Sequence, residues 1–449
     1  MRFPMKKQST ESCPTRKRFS VNKRKLIFSC IAICLFLLIV EACSFILLAT
    51  AFLTASPWPN AAHLLPDENL GWTLTPNVTN HVVNHTKKFD VIYRTNKFFR
   101  QDGQDIRHVK NSDIVLIGDS HIFGFGLAEN QTLSSQLHKT LSKNGDTKLV
   151  LNAGVPGYGL GQYYLRLQSL GDLAKGTLVV VYVNPLNDLV NLSLKIDYKY
   201  PKPHASIQRG QLTYSKPLLY NPKVPLYFAP EFDRLNQVFS LPTPAPAPLI
   251  AHLSQLSPTI RLMRSLKEGS IRFRWSELAP VEDITPGQDG EKYEHVRQEQ
   301  IRKRPLRHAA RYWPIITKFE SERNIAEETL RGIFRAMKKH VEKQGANLLV
   351  VVGRECYSEQ AFWIRLSNIL AKRFPEYEFK WTLARDIVKR AAGQESIATL
   401  TIEYPQERIE SMYVPYDGHT SGDGFSVVAS EIVKWMSAPK NATIETTKN

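Results

Sequence analysis

The tripeptide Gly118-Asp119-Ser120 ends a short apolar run, in the stretch DIVLIGDSHIFGFGL from residue 113 to 127. A serine hydroxyl is a weak nucleophile until a general base takes its proton, and it must be accessible to a substrate. The turn after a buried parallel strand gives that access, because ligands of α/β proteins bind in the crevice outside the carboxyl ends of the strands. We therefore predict that Ser120 is a nucleophile, although a Gly-Asp-Ser tripeptide also occurs by chance.

A candidate general base lies far along the chain, in the stretch YVPYDGHTSGDGFSVVASEIVKWM from residue 413 to 436. His419 precedes a segment whose apolar spacing predicts an amphipathic helix. A histidine in the loop before this helix can accept the serine proton, and Asp417 can orient its ring and stabilise the imidazolium. Asp423 is a second candidate for the orienting carboxylate.

Two further stretches can supply donors for the oxyanion that forms when a serine attacks an ester. The glycine-rich NAGVPGYG, residues 152–159, follows an apolar run and can direct backbone N–H groups into the crevice. Asn187 follows the next apolar run and carries an amide donor, and Asn184 competes for the same role. Each stretch is also compatible with an ordinary turn.

Apolar runs alternate with segments of helical periodicity between these stretches. Runs that are apolar on both faces and separated by helices predict a parallel sheet covered on both sides, and therefore an α/β fold. The predicted strands are Ile114–Ile117, Leu149–Leu151, Leu178–Val183 and Leu348–Val352, and the predicted helices lie near Gln131–Leu141, Gln162–Leu170 and Ile325–Gln344.

The segments around this alternation predict further divisions of the chain. Short alternating runs at 57–112 indicate a β-rich lead-in region, the α/β domain occupies 113–438, and 439–449 is a flexible tail. The alternation breaks at about 191–312, which we interpret as an insertion. A basic cluster within it, at 297–311, could contact anionic glycan or lipid headgroups, but such a run is more often a solvated helix face.

The N-terminus is typical of a membrane-anchored protein. Residues 1–25 hold nine basic side chains against one acid, and residues 26–53 are apolar except for Glu41. A helix of that length spans about 42 Å, more than the roughly 30 Å hydrocarbon core, whereas a secretory signal peptide has an apolar region of about 7–15 residues. We predict an uncleaved anchor with a cytoplasmic tail and an exported remainder. Glu41 is either an intramembrane partner site or an acid tolerated in a long anchor.

Charge and cysteine content exclude several classes of function. The 449-residue chain carries a formal charge of +17, of which the basic tail accounts for +8. The remaining +9 is interleaved with acids, so we expect no nucleic-acid partner. Cys356 is the only cysteine after the anchor, which rules out a disulfide framework there, and no metal-ligand spacing is present. We expect neither a metal nor a cofactor.

Together the four stretches resemble the four sequence blocks of the SGNH (GDSL-like) hydrolase and acyltransferase superfamily, which is named for Ser, Gly, Asn and His. The resemblance covers about 113–189 and 347–436, less than half of the chain. The lead-in region is similar to that of membrane-anchored bacterial members. The resemblance implies a three-layer α/β sandwich with a parallel five-stranded sheet, the flavodoxin-like SGNH fold, preceded here by one transmembrane helix.

The resemblance also implies residue roles. Ser120 matches the nucleophile, and His419 with Asp417 matches the base and its orienting carboxylate. The oxyanion hole would consist of the N–H groups of Ser120 and Gly157 and the amide of Asn187. The chain departs from the family pattern in two places. Its last block reads Asp-x-His instead of the commoner Asp-x-x-His, and a histidine, residue 121, follows the nucleophile where Leu or Phe is usual.

These observations predict a serine esterase or O-acyltransferase that is anchored in the inner membrane and has a periplasmic catalytic domain. Its substrates would be acyl esters of envelope polysaccharide or lipid. The alternative is a non-catalytic SGNH-like binding or assembly module of the cell envelope. The short Asp-x-His spacing and the long insertion are the features that favour this alternative.

Overall fold

The structure is a computed structural model, and it describes part of the chain. The described residues are 23–54, 63–84, 89–96, 99–101, 113–171, 178–194, 196–197, 200–215, 259, 263, 312–356, 361–375, 377–415 and 417–438. The predicted basic cluster at 297–311 and the tail at 439–449 lie outside them.

The helices are α1 Lys23–Thr54, α2 Ser120–Phe123, α3 Leu133–Lys143, α4 Leu160–Ser169, α5 Pro185–Ser193, α6 Glu320–Lys343, α7 Ala361–Arg373, α8 Thr382–Gln394 and α9 Gly422–Ser437. The strands are β1 Leu64–Asp67, β2 Gly71–Leu74, β3 Thr79–Asn84, β4 Phe89–Thr95, β5 Arg100–Gln101, β6 Ile114–Ile117, β7 Val150–Asn152, β8 Leu178–Val183, β9 Ile196–Asp197, β10 Tyr200–Pro201, β11 His204–Gln208, β12 Gln211–Ser215, β13 Asn347–Val352 and β14 Ala398–Thr401.

The central sheet is mostly parallel, and its described strands have the order β14-β13-β8-β6-β7-β5-β4-β3. The first five are parallel to one another, and β5, β4 and β3 continue the sheet in antiparallel pairing. In chain order the parallel strands are arranged 2-1-3-4-5, which is the flavodoxin-like order with its switch point between the first and third strands, here β6 and β8. The protein therefore has an α/β fold.

The prediction of five strands is wrong, because the sheet has eight. Strands of the lead-in region join the parallel strands where Arg100 on β5 pairs with Asn152 on β7. The outer edge of β7 would otherwise expose unpaired backbone N–H and C=O groups. The alternating burial of β4 suits a strand with one covered face, whereas β6, β7 and β8 are buried along their whole length.

The helices of the α/β unit form two contacting sets. One set is α3 with α9, and the other is α4, α5, α6 and α8. On α6 the buried residues recur every three or four positions, at Ala326, Leu330, Ile333, Met337 and Val341. This spacing puts one apolar stripe against the core. Both sets contact the sheet, so the crevice at the strand ends is built on rigid elements.

The contacts divide the described residues into two compact units. The first contains those up to Thr50 together with Thr259 and Met263, and the second contains the others. In the first unit, residues Ile27–Leu47 of α1 are long and apolar enough to cross a membrane, a property shared by anchors and secretory signal sequences. Glu41 within this segment accepts a hydrogen bond from the backbone N–H of Thr259 at 3.0 Å.

Candidate active site

Ser120 lies in the turn directly after β6, at the start of the one-turn helix α2. The chain enters this helix through Asp119, whose carboxylate accepts the N–H of His121 at 2.8 Å. This side-chain cap satisfies one of the backbone donors that the start of a helix leaves unpaired. Ser120 itself is half-buried, so its hydroxyl is held firmly without being sealed off.

The loop before α9 brings His419 to the same place. It closes on itself through an antiparallel bridge between Tyr413 and Thr420 and a 2.7 Å hydrogen bond from the N–H of Val414 to the carbonyl oxygen of His419. Ser421 then caps α9, because its hydroxyl accepts the N–H of Gly424 at 3.1 Å. The loop is therefore fixed at both its closure and its exit.

The side chains of Ser120, His419 and Asp417 form one chain of contacts. The Oγ of Ser120 lies 2.7 Å from Nε2 of His419, and Nδ1 of His419 lies 3.0 Å from Oδ2 of Asp417. Because Nδ1 faces a carboxylate, we assign the ring proton to Nδ1, and Nε2 then accepts the serine hydroxyl. The Nδ1–H is not aligned with Oδ2 for a full hydrogen bond, an alignment that often tightens only when substrate binds.

The short Asp-x-His spacing is made possible by Gly418. Its φ of +85° is a left-handed backbone conformation that few other residues adopt without strain. This turn returns the carboxylate of Asp417 to the ring of His419 although one residue separates them. Asp423, the second candidate for the orienting carboxylate, is 57% exposed and bonds to Arg408 at 3.1 Å. The structure therefore brings Asp417, and not Asp423, to the histidine.

The glycine-rich turn after β7 lies against the backbone of α2. A Cβ added at Gly154 would clash with the backbone nitrogen of Phe123, so only glycine permits this approach. Three residues further on, Gly157 has a φ of +79°. Within the described ranges neither its N–H nor that of Ser120 donates to another group of the protein. Both are therefore available as donors.

The two asparagines after β8 have different surroundings. Asn187 is half-buried, and its amide donates to Oδ2 of Asp119 at 2.8 Å, with one N–H left over. Asn184 is buried and belongs to a hydrogen-bonded chain that runs from His121 to Glu355. Since the amide of Asn184 is fully engaged, Asn187 is the better placed of the two to donate to a substrate.

Arg100, which sequence reasoning missed, holds the turn that follows Ser120. It is fully buried and lies over the rings of Tyr93 and Phe123, 4.7 and 5.0 Å from their centroids. Its guanidinium donates to the carbonyl oxygens of Phe123, Gly124 and Leu127 at 2.5 to 2.6 Å. The only signal in the sequence is a lone charge beside the aromatic pair FF, which does not identify a partner.

Trp72, on β2, supports the glycine-rich turn in the same way. Its indole N–H donates to the carbonyl oxygen of Pro156 at 2.8 Å, and its own carbonyl oxygen accepts the hydroxyl of Tyr158 at 2.5 Å. Both bonds flank Gly157. The lead-in region thus buttresses two of the turns that form the site.

Burial shifts the ionisation of groups beneath the serine. It raises the pKa of Asp119 above its ordinary value and raises that of Asp188 well above it. Burial, together with the neighbouring His419, holds the pKa of His121 well below its ordinary value. Each direction favours the uncharged form, and hydrogen bonds are stronger in such a low-dielectric setting.

No group of three or more His, Cys, Asp or Glu side chains is arranged to hold a metal ion in the part of the chain that the structure describes. The chemistry available at the site is that of a hydroxyl, an imidazole, a carboxylate and amide donors. Such a set can carry out nucleophilic acyl transfer.

Comparisons with known proteins give distant matches only. Neither a protein-family model nor a curated protein matches the sequence. One similar solved structure is that of LAE5, an alpha/beta hydrolase enzyme from the metagenome of Lake Arreo, Spain. It is 12% identical, with 72% of this chain and 94% of that chain covered and a TM-score of 0.29. The crystal structure of TesA is 12% identical, with 72% and 98% covered and a TM-score of 0.29. The fold assignment therefore rests on the strand order, and the site assignment rests on its geometry.

Proposed function

We propose that this protein is a serine esterase or O-acyltransferase that uses Ser120, His419 and Asp417 as a catalytic triad. The observation that carries the proposal is the 2.7 Å contact between the hydroxyl of Ser120 and Nε2 of His419. A serine that lies within hydrogen-bonding reach of a histidine, which in turn faces a buried carboxylate, is the arrangement that activates serine in unrelated hydrolases.

The proposed reaction has two halves. His419 takes the proton of Ser120 as Oγ bonds to the ester carbonyl carbon, and the resulting oxyanion accepts hydrogen bonds from the N–H groups of Ser120 and Gly157 and from Asn187. When the bond to the leaving oxygen breaks, the imidazolium returns the proton to that oxygen. Water or an acceptor hydroxyl then attacks the acyl-serine with His419 again as base, which releases the acyl group and restores the serine.

The proposed substrates are acyl esters of envelope polysaccharide or lipid. The support is the position of the domain after an apolar N-terminal helix, Ile27–Leu47, preceded by a basic tail. A cytoplasmic tail and an exported domain follow from the excess of cations before that helix. Esters of the cell envelope are the acyl esters that such a domain would meet.

A fluorophosphonate probe tests the chemistry. We expect the full-length protein in detergent to gain the mass of one adduct at Ser120, and to hydrolyse a short-chain nitrophenyl ester. Ser120→Ala should lose both properties while it keeps its unfolding transition. Ser430→Ala is the matched control, because this hydroxyl is on the exposed side of α9 and bonds only within its helix. Activity of Ser120→Ala at the level of the parent protein, or a folded parent protein that takes no label, would refute the proposal, and the second result would favour a binding module.

Fractionation tests the proposed location. We expect the full-length protein to stay in membranes after alkaline carbonate extraction. Protease added outside the inner membrane should digest the domain and spare a tag at the N-terminus. A shortened, soluble protein would show that the helix is a cleaved signal sequence instead.

A further inference from the structure

His121, the residue after the proposed nucleophile, is a buried histidine in contact with the proposed base. Only 5% of its surface is exposed. Its ring centroid lies 4.8 Å from that of His419 and 6.0 Å from that of Tyr182. A polar ring in such a place must have its nitrogens satisfied by the protein.

Both ring nitrogens of His121 have partners. Nδ1 accepts the backbone N–H of Thr420 at 3.3 Å and lies 3.1 Å from the hydroxyl of the same residue. Nε2 lies 2.6 Å from the side-chain amide of Asn184. Because Nδ1 accepts a backbone N–H, the ring proton is on Nε2, and it is donated to the amide oxygen of Asn184.

The chain of hydrogen bonds continues to the neighbouring strand end. With its oxygen toward His121, the amide nitrogen of Asn184 donates to Glu355 at 2.8 Å. The carboxylate of Glu355 also accepts the backbone N–H of Leu186. We name Thr420, His121, Asn184 and Glu355 the inner network. Its members come from the turns after β6, β8 and β13 and from the loop before α9.

The inner network joins the neighbours of two residues that must meet. His121 is next to Ser120 along the chain, and Thr420 is next to His419. A hydrogen bond between the two neighbours therefore fixes the distance between the nucleophile and the base without occupying either of them. Leucine or phenylalanine at position 121 could not accept the N–H of Thr420.

We propose that His121 is a positioning residue, which holds the imidazole of His419 opposite Ser120 by accepting the N–H of Thr420, and that Asn184 and Glu355 keep His121 in the required tautomer. The kinetic part of this inference rests on the proposed function. Its structural part does not, since it concerns the Thr420 amide alone.

A pair of amide variants separates the two sides of the ring. The oxygen of Asn occupies the place of Nδ1, so His121→Asn retains an acceptor for Thr420. The nitrogen of Gln occupies the place of Nε2, so His121→Gln retains a donor for Asn184 and loses the acceptor. His121→Leu loses both groups.

We expect His121→Asn to keep kcat within a few-fold of the parent protein. His121→Gln and His121→Leu should lower kcat about 10- to 100-fold with KM little changed, because a small misplacement of a catalytic group has effects of this size. His121→Gln keeps the contact to Asn184 and serves as the test if His121→Leu does not fold. A His121→Gln protein with the kcat of the parent, or equal losses in the Asn and Gln variants, would overturn the inference.

Hydrogen exchange of the Thr420 amide gives a readout that is independent of activity. We expect slow exchange in the parent protein and in His121→Asn, and faster exchange in His121→Gln at unchanged global stability. Exchange that is equally slow in both variants would show that His121 does not hold this amide. If the parent protein neither hydrolyses esters nor takes the probe, the proposed function fails, and the exchange result still decides whether the contact exists.

Discussion

The two asparagines after β8 show how neighbouring residues of one type acquire different roles. Asn184 is buried and uses its amide within the inner network, whereas Asn187 is half-buried and gives one N–H to Asp119. Its second N–H is the proposed oxyanion donor. The difference comes from position on α5, since Asn184 caps the helix and Asn187 lies in its first turn.

We therefore expect Asn187→Ala to lower kcat about 10²- to 10³-fold with a small effect on KM, because an oxyanion donor acts mainly in the transition state. Steady-state kinetics on a nitrophenyl ester checks this. Fluorophosphonate labelling should slow as well, since the probe also develops negative charge on oxygen. An Asn187→Ala enzyme within a few-fold of the parent would remove Asn187 from the oxyanion hole.

At this scale the sequence identifies side chains by their chemistry but not by their contacts. Residue type and strand-end position direct attention to Ser120 and His419, whose side chains the structure places 2.7 Å apart. The same reasoning cannot separate Asn184 from Asn187, because both follow β8 within one helical turn. It also cannot find Arg100, since the carbonyl groups that Arg100 binds belong to the backbone and leave no mark in the sequence.

Among the elements, the loop before α9 depends on one backbone conformation. Gly418 has a φ of +85°, and this turn brings Asp417 back to His419. Gly345 has a φ of +77° in an open turn, where an added Cβ meets nothing within 4 Å. The two glycines therefore share a similar strain and differ in what they position.

We expect Gly418→Ala and Gly345→Ala each to lose about 1 kcal/mol of unfolding free energy, because alanine in the left-handed region is strained. Only Gly418→Ala should also lower kcat, by about tenfold or more, through the displaced carboxylate. Denaturant unfolding and kinetics on the same samples separate the two effects. Equal kcat values for both variants would mean that the turn at Gly418 does not position Asp417.

The lead-in strands are a part of the site and not a spacer. Arg100 on β5 and Trp72 on β2 bind backbone groups of the turns that carry the proposed nucleophile and an oxyanion donor. Alternating apolar residues predict these strands, but a period of two does not say which sheet a strand will join. For that reason the eight-stranded sheet could not be derived from the sequence.

The matched test compares Arg100→Met with Arg94→Met. The first change leaves three carbonyl groups without their donor in the core, so we expect a loss of about 3 kcal/mol or more in unfolding free energy, with slower labelling of Ser120. Arg94 is 43% exposed and pairs with Glu129 at 2.6 Å, and its loss should cost at most about 1 kcal/mol. Similar losses for both variants would show that the contacts of Arg100 add little.

For the whole molecule, two buried histidines make the fold sensitive to acid. Burial, reinforced by the charge of Arg100, lowers the pKa of His63 from 6.5 to about 4, and burial also lowers that of His121. Between these values the unfolded chain binds a proton that the native protein does not. Stability must therefore fall as the pH decreases through that interval.

The displacement at His63 corresponds to about 3 kcal/mol between pH 6.5 and 4. We expect His63→Phe, which keeps a ring stacked on Phe123, to show a shallower loss of unfolding free energy over this range. A residual slope from His121 should remain. Chemical unfolding at several pH values gives both curves, and parallel curves would show that His63 does not contribute.

Chain order imposes a sequence of events on biogenesis. The hydroxyl of Ser120 and the ring that contacts it are 299 residues apart, and the ring belongs to the closing loop and helix of the described structure. During synthesis every parallel strand of the sheet is available before that loop emerges. A nascent chain can thus assemble the sheet while its serine has no imidazole beside it, and the proposed activity would switch on only with the last helix. A stop codon anywhere between 402 and 418 would leave all the strands and no base.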